Sequence, residues 1–224
     1  MNNSIISYLI TSAFLIKNRP WPFLLLSTAS VFPAVPLAHE TLQWSYAIIT
    51  GVLFFFANIA TLGQYSEIAM RNQTIPYADI LKRNGLNFFI VNAFLLSTLM
   101  ITSLLQMPFE IDLKNWQVIN FILIDCVSVY ILPLVFILGK KWESIVLGVK
   151  CVAGNLSFHL PVFIIITASY VLETAVAALQ KDLSQNTYAI LSVSISILFI
   201  FIEFVIFISA TLIFKEKVML QNDV

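Results

Sequence analysis

Six stretches in which apolar residues follow one another almost without a break divide the chain, at 20–38, 44–63, 86–107, 116–139, 156–179 and 188–214. Each is 19 residues or longer, and at about 1.5 Å of rise per residue that is enough for a helix to cross about 30 Å of hydrocarbon. None alternates apolar and polar positions as a barrel strand does. Backbone groups in lipid must be satisfied within their own segment, so these stretches are predicted to be helices. Ahead of them, Ile5, Ile6, Leu9, Ile10 and Phe14 recur at helical spacing against Ser4, Ser7, Tyr8, Thr11 and Ser12. That segment is too short to span and is predicted as an amphipathic helix lying along the membrane surface. Lys17 and Arg19 follow its apolar stretch instead of preceding it, unlike a cleavable signal. The fold class is all-α: a polytopic bundle of six transmembrane helices over 19–214, an N-terminal interfacial helix over 1–18, and a short tail over 215–224.

The interruptions carry their own signals. Pro20 and Pro22 sit where a first span would begin, a position that tolerates a missing N–H, whereas Pro33 and Pro36 must bend or end it. This span is expected to be short and kinked, with a re-entrant segment as the alternative. In the connector 64–85, Pro76 opens a short helix, Asp79 lies early in it and Lys82 and Arg83 late, and Gly85 supplies a stop. Ile75, Ile80 and Leu81 face lipid or the bundle. In the connector 140–150, Trp142 beside Lys140 and Lys141 reads as an interfacial anchor. Ala175 and Ala178, with Ser192, Ser194 and Ser196, offer the small residues for a close seam between the last two spans.

Composition narrows the class. The chain is 59% apolar and 11% charged, against about 25% charged in soluble domains, which excludes an ordinary soluble enzyme, a nucleic-acid-binding domain and a disordered chain. The net charge is zero, but the basic residues are unevenly placed. With a cytoplasmic N-terminus, Lys17, Arg19, Arg71, Lys82, Arg83, Lys140, Lys141, Lys150, Lys215 and Lys217 fall on one side, and only Lys114 and Lys181 on the other. This positive-inside bias places both termini in the cytoplasm. Cys126 and Cys151 read as small hydrophobes, and no His or Cys cluster suits a metal.

A family resemblance rests on three segments: Tyr130-Ile-Leu-Pro-Leu-Val-Phe-Ile-Leu, then Glu143-Ser-Ile-Val-Leu-Gly-Val-Lys with Asn155 opening the next span, and the earlier Tyr77-Ala-Asp-Ile-Leu-Lys-Arg. In these the chain resembles the YciC-type family of six-span bacterial inner-membrane proteins. It departs from that pattern after Pro133, where no acid precedes the lysines. The resemblance implies a compact, non-catalytic inner-membrane protein with a structural, accessory or lipid-interacting role in the envelope.

Ionisable groups deep in a span cost about 2.5–3.5 kcal/mol on insertion scales and so mark sites to explain. Asp125 and Glu203 both fall near the middle of their spans, and no Lys or Arg lies inside any span to pair with them. They are either protonated acids bonded to polar neighbours, or a proton- or cation-binding pair in a small coupled transporter or transporter subunit. The polar neighbours available are Asn58, Asn92, Asn120, Ser128 and the Ser192–Ser196 ladder. Glu173, close to a span end, is expected to snorkel to the interface. Asn155 and His159 are read as a polar helix boundary, His159 bonding carbonyls that Pro161 leaves free. His39 and Glu40 are a solvated loop pair. No hydrolase, metalloprotease, P-loop or dinucleotide motif is present, so no catalysis and no cofactor are expected. The partners implied are membrane lipids and another membrane protein or a second copy, with nothing implying nucleic acid.

Overall fold

The protein was analysed as a computed structural model that describes residues 4–31, 40–104, 113–154, 156–179 and 183–222. Eight α-helices account for nearly all of them: α1 Ile5–Asn18, α2 Trp21–Val31, α3 Glu40–Arg71, α4 Tyr77–Leu104, α5 Leu113–Leu138, α6 Lys141–Gly154, α7 Leu156–Ala178 and α8 Gln185–Asn222. No strand occurs among the described residues. The protein is an all-α, multi-pass membrane bundle.

Five helices are long and apolar enough to cross a membrane, over Ser45–Arg71, Tyr77–Thr102, Val118–Leu138, Phe158–Ala178 and Thr187–Glu216. The first predicted span is the exception. Of it the structure describes the 11-residue α2, about 16 Å long; residues 32–39 lie outside the described residues. The chain nevertheless changes ends here. Arg19 sits at the C-terminal end of α3, where its backbone carbonyl accepts the Tyr65 hydroxyl at 3.0 Å and its guanidinium donates to Asn72 at 3.1 Å. Glu40 begins the same α3 at the opposite end.

The end at which α3 finishes gathers the basic residues. Arg83 of α4 pairs with Glu67 of α3, and Lys215 of α8 donates to the Ala69 carbonyl at 3.0 Å. α1 crosses the C-terminal part of α8 at this end, Ser12 meeting Ser209 at 2.9 Å and the Tyr8 hydroxyl donating to Glu216. The face it uses mixes apolar and hydroxyl side chains. Ile5, Tyr8, Ser12 and Ile16 are buried, whereas Ile6, Ile10 and Phe14 stay exposed. The hydroxyls pair inside the protein, and the freed apolar stripe is left for lipid.

Two further expectations are corrected. Gly85 does not stop a helix: α4 runs through it to Leu104, and Gly139 is the glycine with positive φ, at 65°, turning α5 into α6. Residues 141–154 form a helix folded back along α5, with Trp142 exposed on it. Gly148 lies so close to Ile131 that a Cβ there would come within 2.5 Å of its side chain and 3.0 Å of its backbone, and Trp142 meets Phe94 edge to face. Close approach is thus made at Gly148 and at Gly63, which faces Ile80 and Phe136. Ala175, Ala178, Ser194 and Ser196 are exposed and form no such seam. The main core joins α3, α4, α5 and α8 through Tyr65, Phe88, Val135, Phe136, Phe204 and Ile208.

Candidate functional site

α5, α7 and α8 each turn a mixed stripe toward a common space. On α5 it is Asp125, Ser128, Val129 and Leu132; on α7 Ile166, Ser169, Tyr170 and Glu173; on α8 Phe199, Ile202, Glu203 and Ile206. On α5 and α7 these residues recur three and four apart, so a single face of each supplies its set, while on α8 the lining widens to take in Phe204 and Phe207. With Asn58 of α3 they line a cavity of about 240 Å³. Three carboxyl groups from three helices therefore share one chamber, and no Lys, Arg or His lies among its lining residues.

The acids descend from the end of the bundle opposite the basic one. Glu173 is five residues from the end of its span and Asp125 seven from the start of its own, about 8 and 10 Å at helical rise. Glu203 is sixteen residues in, about 24 Å. Asp125 is half-buried and accepts the Tyr170 hydroxyl at 2.5 Å, while Glu173 and Glu203 stand exposed at the margin of the chamber. The Ser128 hydroxyl is not free to serve Asp125's carboxylate, since it donates to that residue's own backbone carbonyl at 3.1 Å.

Of the residues singled out in the sequence, Asp125, Glu203 and Asn58 come together. Asn92 does not: its amide donates to the Phe88 carbonyl of its own helix at 2.9 Å. Asn155 lies outside the described residues. His159 is 1% exposed inside α7, and its Nδ1 pairs with the Tyr130 hydroxyl of α5. It thus joins α7 to α5, and its Nε2 lies 4.0 Å from the Cys151 sulfur of α6. Glu173 belongs to the site, not to the interface alone. Tyr170 was missed, and the signal for it was its spacing of three residues from Glu173. No group of three or more His, Cys, Asp or Glu suited to a metal ion is found among the described residues.

Comparison with protein-family models, with curated proteins and with solved structures gives no match.

Proposed function

We propose that the protein binds a proton or a cation within the bilayer, as a small proton- or cation-coupled transporter or as the subunit of one. The observation that carries this reading is the convergence of Asp125, Glu173 and Glu203 on one cavity without a basic residue to neutralise them. Carboxylates at such depth are expensive unless protonated, hydrated or matched by a cation, and a protein that needed only packing would place apolar residues there. Phe199, Phe204 and Phe207 in the same wall suit a cation with an apolar body. The basic end is proposed to face the cytoplasm, which puts both termini there and the acidic cavity toward the outer side of an inner membrane.

A second reading, a structural, accessory or lipid-interacting protein without transport or catalysis, draws on the Tyr170–Asp125 bond, which by itself satisfies one of the three acids. One experiment separates the two. Purified protein is titrated with sodium and with tetraphenylphosphonium while proton release and thermal unfolding are followed. The ion-site reading expects binding coupled to proton release, weakened at least tenfold in Asp125→Asn and Glu203→Gln with little change in unfolding. Variants that bind as wild type, a wild type that binds neither probe, or variants altered only in unfolding would overturn it in favour of the structural reading.

A further inference from the structure

The basic end holds a second polar chamber, of about 250 Å³, bounded by the last turns of α3 and α5 and the early part of α4. Asn84 lines it and is 0% exposed, yet neither the oxygen nor the nitrogen of its amide has a hydrogen-bond partner among the described residues. Buried amides left open on both sides are rare because each unpaired group forfeits its hydration without compensation. Beside it, Glu67 is held by two guanidiniums, Arg83 and, at 3.5 Å, Arg71. Two cations against one carboxylate leave a net positive charge, and the arginine side chains, 62% and 44% exposed for Arg71 and Arg83, keep donors free at the rim. The chamber lies near the ends of the long helices. Asn84 is seven residues into α4 and Glu67 four from the end of α3, about 10 and 6 Å from the helix ends.

Two demands follow from these groups. The arginines call for an oxyanion such as a phosphodiester. Asn84 calls for a group that both donates and accepts, which a hydroxyl does, an ammonium does only as donor, and a quaternary amine does not do at all. We propose that this chamber seats the hydroxylated phosphodiester headgroup of an anionic phospholipid, phosphate against Arg71 and Arg83 and headgroup hydroxyl against the Asn84 amide. The site is separate from the acidic cavity and stands or falls independently of it.

The test uses the full chain in detergent, stripped of lipid and then supplied with phosphatidylglycerol, phosphatidylcholine or glycerol phosphate, read by native mass spectrometry and thermal unfolding. Phosphatidylglycerol is expected to be retained and to raise the unfolding midpoint, phosphatidylcholine to do neither. Arg71→Gln and Asn84→Leu are expected to reduce retention at least fivefold. Asn84→Leu, which removes the unpaired amide in a near-isosteric way, is expected to fold at least as stably as wild type without lipid. Equal retention of both lipids, or undiminished retention by both variants, would overturn the proposal and leave water as the occupant. Stabilisation by glycerol phosphate with no preference between the lipids would overturn the lipid assignment and make a soluble phosphate ester the ligand of the same groups.

Discussion

Two glycines that look alike in the sequence behave oppositely. Gly85 was readable as a helix stop because it follows Lys82 and Arg83, but it lies inside α4 with no atom within 4 Å of where a Cβ would stand. Gly148 lies in a helix too, against the backbone of Ile131. Gly85→Ala should therefore raise stability by about 0.5–1 kcal/mol, the ordinary gain of Ala over Gly in a helix. Gly148→Ala should lower it by about 1–3 kcal/mol, because the α5–α6 contact must open. Reversible unfolding of the two variants in detergent checks both signs, and a destabilised Gly85→Ala would restore the cap that the sequence suggested. The site residues show the same limit. Asp125 and Glu203 were conspicuous from sequence because acids are rare in hydrocarbon. Tyr170 was not, because a tyrosine in a span is ordinary until its hydroxyl is seen to meet a carboxylate.

At the scale of elements, periodicity identified α1 as an amphipathic helix but did not say which of its residues meet α8. Sequence periodicity reports that two faces differ, not which one the protein buries. Here the hydroxyls of Tyr8 and Ser12 find partners on α8 and Ile5 and Ile16 are buried on the same face, while Ile6, Ile10 and Phe14 remain outside. Ser12→Leu is expected to weaken that docking and Ile10→Ser to leave it intact. Limited proteolysis of the first 20 residues in detergent should accelerate severalfold in Ser12→Leu alone. Acceleration in Ile10→Ser instead would mean that the apolar face is the docked one. α6 carries a related lesson. Its exposed Trp142, Val146 and Leu147 look interfacial in sequence, but Ser144, Gly148 and Val152, at spacing four, make the stripe that packs on α5.

For the whole molecule, the positive-inside bias predicts which end faces the cytoplasm, and contacts in the fold bring Arg19, Arg71, Arg83 and Lys215 together at one end. Single cysteines at Lys82 and Lys114, in a background lacking Cys126 and Cys151, give the corresponding prediction. Membrane-impermeant maleimide added to intact cells should label Lys114→Cys and spare Lys82→Cys, with the reverse in inverted vesicles. Labelling of both from one side would break the topology. Within the bundle, burial is concentrated toward the basic end, where Tyr65, Phe136, Phe204 and Phe207 interlock, whereas Ile48, Leu96, Met100, Val171 and Ile190 toward the other end are exposed. The acidic cavity lies between α5, α7 and α8 on that more open side. The amino-acid sequence by itself determined the membrane class, the helical state of the long apolar stretches and the uneven placement of charge, since each depends on local composition in a solvent that cannot hydrate a backbone. The tertiary structure alone decided which faces pair, that α6 folds back along α5, and that three acids from three helices line one chamber. Those outcomes depend on contacts between residues far apart in the chain, which no local pattern encodes.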